Sequence, residues 1–194
     1  MAAMFEPAVA VVITHEGGYC NFANDPGGAT NWGISKVIRA NCKLTPHDLG
    51  IPDFSDDSIK SMPRRAAERV YFLHWWVPWR LWEINDQTIA TKIMDYGINS
   101  SPPRVAIVFA QQVCRDLGRD LTVDGKIGPL TIAAINACDR GDWLRAYAAM
   151  MWGRWSAILR LHPEMEIPWR RVWSIRAAWG VPALEATPPI LGDP

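Results

Sequence analysis

Apolar residues along this chain recur mostly at helical spacing, and one stretch departs from it. Val9, Val12 and Ile13 share a face of a segment that runs to Glu16, and Gly17-Gly18 follows, so the pattern predicts a helix over 8–16. Residues 19–34 lack that period and are rich in Gly, Asn, Asp and Pro; Asp25-Pro26-Gly27-Gly28 predicts a turn inside a small β-hairpin. Ser35 is placed to cap a short helix to Asn41, and a loop carrying Pro46 and Pro52 comes next. A helix is predicted from Pro63 to Trp76, with Pro63 in its first turn and Pro78 enforcing the stop.

Asp86 is placed to cap a helix through Asn99, with Ile89, Ile93, Met94 and Gly97 on one face. Ser101-Pro102-Pro103 opens another, to Leu117. After the tight loop Asp124-Gly125-Lys126-Ile127-Gly128-Pro129, helices are predicted over 130–138, 142–161 and 167–179. The tail, 181–194, holds four of the fifteen prolines and is expected to be loose. The expected fold class is mainly α with one small β-hairpin.

Composition narrows what such a fold does. With 194 residues, 49% hydrophobic and 21% charged, the chain is globular and fits one sizeable domain or two small ones sharing a cleft. Twenty basic against twenty acidic residues leave no net field to draw in nucleic acid or an anionic membrane, and no apolar run is long enough to span one. Glu6 and Pro7 interrupt the N-terminal apolar run, which has no basic flank, so a secretory signal is not expected. Cys20, Cys42, Cys114 and Cys138 form no C-x-x-C pair. That excludes a zinc ribbon and a thioredoxin-type site, and without an export signal free thiols are expected. Eleven tryptophans are many for one small core. Some are expected to face a ligand groove, where flat rings suit bases or sugars; the alternative is that all fill the core.

Glu16 is the first candidate for chemistry. It sits in the last turn of a helix, where the dipole disfavours a carboxylate and favours the protonated acid. A protonated carboxyl is what general acid catalysis on a glycosidic oxygen requires, and Gly17-Gly18 leaves room for a polymer strand. An ordinary surface Glu before a Gly-Gly cap fits the same residues. Asp25 and Thr30 lie in the hairpin that folds back beside this helix end. A second carboxylate there would stabilise oxocarbenium-like charge or activate a water that Thr30 orients, although Asp25 equally suits the turn before Pro26. A zinc site is excluded: His15-Glu16-Gly17-Gly18 begins like H-E-x-x-H, but Tyr19 occupies the fifth position. Neither a nucleophile elbow nor a phosphate-binding glycine loop occurs.

His15-Glu16-Gly17-Gly18-Tyr19 followed by Asp25-Pro26-Gly27-Gly28-Ala29-Thr30-Asn31-Trp32-Gly33-Ile34 resembles the signature of glycoside hydrolase family 108. The spacing is also similar to the Glu, Asp, Thr arrangement of phage-type lysozymes, with Thr30 one residue early. The resemblance continues through the aromatic segment 71–79, Asp95-Tyr96-Gly97-Ile98-Asn99, the loop 123–131 with Gln111, and Trp169 to Arg176. It departs at Trp32, where Tyr is commoner, and at Val172, where Gly is usual.

The resemblance implies a lysozyme-like helical fold with the hairpin beside the catalytic helix. It divides the chain into a catalytic part over 1–100, a helical peptidoglycan-binding-like part over 101–180, and the Pro-rich tail. The activity implied is that of an endolysin-type N-acetylmuramidase, which hydrolyses the β-1,4 bond between N-acetylmuramic acid and N-acetylglucosamine without metal or cofactor. Glu16 carries over as the acid, with Asp25 and Thr30 beside it. Tyr19 and Trp32 are expected to stack on sugars and Asn31 to bond N-acetyl groups. Asp95 and Asn99, i and i+4 on a helix face expected to be exposed, either face substrate or form a solvated face with a helix cap. The partner is the peptidoglycan strand, not nucleic acid or a membrane. The protein is expected to be a monomer made in the cytoplasm, needing a holin or another route to the wall. The alternatives are a lytic transglycosylase, a non-catalytic peptidoglycan-binding or phage-structural protein, and an antibacterial effector with the same chemistry.

Overall fold

The computed structural model describes residues 1–21 and 28–181. The chain is mainly helical and divides into two compact units, Phe5–Pro78 and Met1–Met4 with Trp79–Pro194. None of the described helices is long and apolar enough to cross a membrane.

In the first unit, helix α1 (Phe5–Glu16) begins earlier than the apolar pattern indicates, because Pro7 fits a first turn whose N–H groups need no intrahelical partner. It buries Ala8, Val9, Val12 and Ile13, and it ends where Gly17 (φ +73°) returns its N–H to the Ile13 carbonyl at 3.0 Å. The expected hairpin is not seen as paired strands. Among the described residues there are two isolated antiparallel bridges, Cys20 with Thr30 and Asn31 with Ile34, and the turn expected at Asp25–Gly27 lies outside them. Cys20 and Thr30 exchange both backbone bonds at 2.9 Å, but Trp32 (φ +50°) and Gly33 (φ +79°) then take left-handed backbone that cannot extend a ladder.

Helix α2 (Lys36–Asn41) is capped as expected, the Ile38 N–H donating to Ser35 Oγ at 3.3 Å. Helix α3 (Asp56–Ser61) falls in what was expected to be loop; at six residues it is too short to show a period. Ser55 caps it, and Asp56 and Asp57 suit the positive end of its dipole. The segment read as a single helix from Pro63 to Trp76 is helix α4 (Arg64–Tyr71), with Pro63 as its N-cap, followed by a π turn over Phe72–Trp76. Phe5 packs edge-on against Phe72 and Trp76, at 5.0 and 5.7 Å between ring centroids.

In the second unit, helix α5 (Gln87–Ile98) is the core element. Asp86 caps it, accepting from the Ile89 N–H at 2.9 Å, and every residue from Ile89 to Ile98 is buried. Trp79 closes over Gly97 so tightly that a methyl there would overlap its ring. Helices α6 (Val105–Asp116), α7 (Pro129–Asn136), α8 (Arg140–Leu161) and α9 (Glu166–Ala178) complete the unit. Trp155 of α8 stacks on Trp173 of α9 at 5.5 Å, and Trp143 stacks on Tyr147 at 4.6 Å. Trp75, Trp76, Trp143, Trp155 and Trp173 are thus core residues, while Trp82 and Trp169 are exposed. The expected loose tail lies, from residue 182 onward, outside the described residues.

Buried Gln111 on α6 fixes the loop before α7. Its Oε1 accepts the N–H groups of Asp124 (3.1 Å) and Gly125 (2.7 Å), and its Nε2 faces Asp124 Oδ1 (2.9 Å), the Lys126 carbonyl (3.0 Å) and Thr131 Oγ1 (3.1 Å). The Gln111 bond, then the Lys126 N–H, hold the Asp124 carboxyl below its ordinary range. Its stabilising contribution is therefore present above that range and lost as pH falls through the lowered value. Gln111→Leu is expected to cost about 2–3 kcal/mol, because it strands two backbone N–H groups as well as removing bonds. Urea unfolding, with faster amide exchange at Asp124 and Gly125, checks this.

Candidate active site

Glu16 terminates α1, partly exposed, with its stem against the Trp32-Gly33 turn. A methyl at Gly33 would fall 2.7 Å from Glu16 Cγ and 2.9 Å from Cβ, and it would overlap the Tyr71 hydroxyl. Tyr71, fully buried on α4, donates that hydroxyl to the Trp32 carbonyl at 2.9 Å, and Trp32 Nε1 donates to the Met62 carbonyl at 3.2 Å. These two hydrogen bonds, to α4 and its approach, therefore hold a left-handed turn on the carboxyl's stem. Gly33 combines φ +79° with this contact, so only a hydrogen fits. Neither Gly33 nor Tyr71 is marked as a positioning residue by the sequence pattern, although the unbroken run Thr30-Asn31-Trp32-Gly33 carries such a turn.

Gly33→Ala is expected to lower stability and to displace the Glu16 side chain. Left-handed strain alone costs on the order of 1 kcal/mol, and the overlap with Glu16 and Tyr71 adds to it. Thermal unfolding together with the NMR shifts of the Glu16 side chain checks this; an unchanged Tm with unchanged shifts would refute the positioning role.

The other expected site residues separate into two groups. In the unit that holds Glu16, Thr30 is bridged to Cys20, and its Oγ1 donates to the Gly28 carbonyl at 3.2 Å. Tyr19 is partly exposed, with the Lys60 ammonium 5.7 Å from its ring centroid. Trp32 is partly exposed as well. Asn31 is 3% exposed, and its amide donates at 3.0 Å to the Ile59 and Lys60 carbonyls, capping the end of α3. Its observed work is structural, because both amide hydrogens are used there. Asp25 lies outside the described residues.

Asp95 and Asn99 belong to the second unit; Asn99 is partly exposed, and the exposure expected of Asp95 is corrected. Asp95 is buried with Arg176, Oδ1 to guanidinium 2.9 Å, both side chains 3% exposed. Asn99 is the C-cap of α5, its N–H bonding the Asp95 carbonyl at 3.2 Å. The expected apolar stripe covered one face, but α5 is buried on all sides, so its polar residues are inside too. Buried Lys92 was not singled out; it donates to the carbonyls of Arg176 (3.2 Å), Ala177 (2.9 Å) and Trp179 (2.6 Å), where α9 presents its negative end. Among the described residues, no three His, Cys, Asp or Glu side chains cluster as for a metal ion.

The Glycosyl hydrolase 108 family model matches residues 9–100, and the model described as Predicted Peptidoglycan domain matches residues 105–163. No curated protein matches the sequence significantly. Among solved structures, that of Brucella abortus SagA superposes with a TM-score of 0.66 at 24% identity, covering 89% of this chain and 91% of that one, a likeness of fold. The first match contains Glu16 and the turn against it, and the second contains Gln111 and its loop. The chain is therefore similar to the glycosyl hydrolase 108 family over residues 9–100 and to the predicted peptidoglycan domain over 105–163.

Proposed function

We propose that this chain is a muramidase, hydrolysing the β-1,4 bond between N-acetylmuramic acid and N-acetylglucosamine in peptidoglycan. The observation that carries the reading is Glu16 at the end of α1, held by the Gly33 turn inside the glycosyl hydrolase 108 match. The negative end of the α1 dipole favours the neutral carboxyl, which is the form that protonates a leaving glycosidic oxygen. Asp25 is assigned by sequence position as the second carboxylate, stabilising cationic charge at the anomeric carbon or activating water, with Thr30 orienting that water. Tyr19 and Trp32, both partly exposed, are the residues we assign to sugar stacking.

In this reading the fold is lysozyme-like. Residues 1–100 cleave, residues 101–180 engage the wall, and the tail beyond belongs to neither. The protein acts as a monomeric endolysin, synthesised in the cytoplasm and reaching peptidoglycan through a holin or another export route. The test is mass spectrometry of muropeptides released from purified sacculi. New reducing ends carrying N-acetylmuramic acid support the proposal. Ends carrying N-acetylglucosamine, anhydro-muramyl ends lighter by one water, or binding without release would each overturn it, the last in favour of a wall-binding protein.

A further inference from the structure

The loop that Gln111 organises and the first turn of α7 line a groove of about 590 Å³ in the second unit. Its lining mixes three kinds of group. The carboxylates of Asp120 and Asp124 belong to it, as do the Lys126 ammonium and the apolar side chains of Ile127 and Leu130. Leu130 is 83% exposed, an apolar residue left open to solvent on the first turn of a helix. Asp124 commits one oxygen to the fold: its Oδ1 accepts from Gln111 Nε2 and from the Lys126 N–H, both at 2.9 Å, which leaves Oδ2 for a ligand. Among the described residues, none forms a salt bridge with Asp120 or with the Lys126 ammonium. Gln111 is buried and uses both ends of its amide on the loop. The groove is thus in place before any ligand arrives, and little ordering remains to oppose binding.

The lining also says what fits. No residue of it is aromatic, whereas a groove for sugar rings would offer flat faces for them to pack on. It complements a peptide that carries both signs of charge and small apolar side chains. The stems of peptidoglycan are such peptides, with alanyl methyls, free carboxylates and, at an uncrosslinked diamino acid, an ammonium group. Every lining residue falls inside the 105–163 match. We propose, on the reading that residues 101–180 engage the wall, that this groove takes the stem peptide of peptidoglycan rather than its glycan. The ammonium pairs with Asp120 and Asp124, a carboxylate pairs with Lys126, and the methyls cover Leu130. Crosslinking or acylation of the diamino acid removes the cation, so the groove selects uncrosslinked stems.

Titrating the ¹⁵N-labelled full-length protein with N-acetyl-L-Ala-γ-D-Glu-L-Lys-D-Ala tests this. The expected result is saturable movement of the amide signals of Asp124, Lys126, Leu130 and Thr131. Glycan strands stripped of peptide, and the same peptide acetylated on its lysine, should leave those signals in place. Asp120→Asn combined with Lys126→Gln should weaken peptide binding about tenfold or more. Tm should not change, because both side chains are exposed and the loop's own bonds use the Lys126 backbone. Four results would overturn the proposal: groove signals moved by stripped glycan, equal binding of the acetylated peptide, no movement at millimolar peptide, or undiminished binding by the double variant. Failure here is separable from failure of the muramidase reading. Sacculi cleaved while the groove stays silent count against the groove alone; groove signals that move while sacculi stay intact count against the muramidase alone.

Discussion

Glu16→Gln is expected to lower the release of reducing ends from purified sacculi by about 100-fold or more, since the amide keeps the shape but has no proton to give. Stability is expected to move the other way or not at all. A carboxylate in the last turn of α1 opposes the helix dipole, an effect typically worth about 0.3–1 kcal/mol, and the neutral amide removes that opposition. The pair of readouts separates two roles. A merely structural Glu16 would lose Tm and keep turnover, whereas a catalytic one loses turnover with Tm unchanged or slightly raised. Circular dichroism melting beside a reducing-end assay measures both on one preparation.

The second large effect concerns stability. Asp95→Ala is expected to destabilise the unit that begins at Trp79 by about 3–5 kcal/mol, because it leaves the Arg176 guanidinium buried without its carboxylate. Asp95→Ala combined with Arg176→Met should recover much of that loss, since replacing both partners removes the stranded charge along with the bond. Urea unfolding of the wild type, the single and the double variant checks the cycle. A single variant as stable as the wild type would contradict the buried pair and restore the solvent-facing or substrate-facing position expected from sequence.

Helix positions were legible wherever period and caps agreed. Ser35 and Asp86 each stand before a helix, and Pro129 opens α7, because these residues satisfy or avoid the orphan N–H groups of a first turn. Two elements escaped for physical reasons. Helix α3 is shorter than two turns and carries no periodic stripe, and the π turn at Phe72–Trp76 keeps a helical composition while changing its hydrogen bonding. The polarity of α5 misled for a different reason. Lys92 and Asp95 look solvent-facing in a sequence, but each has a buried partner on α9 or just beyond it, more than eighty positions away, which no local pattern contains. Glu16 was legible as a helix-end carboxyl before a Gly-Gly pair; what holds it was not, because the Gly33 contact depends on a left-handed turn pinned by Tyr71 from a distant helix.

The most direct test of water-consuming cleavage by this chain is digestion of purified sacculi in ¹⁸O-enriched water, with mass spectrometry of the released muropeptides. Each newly formed N-acetylmuramic acid end is expected to carry a single heavy oxygen at its anomeric carbon, and the Glu16→Gln digest should show almost none. Unlabelled anhydro-muramyl ends, or equal labelling by the wild type and the variant, would contradict the account.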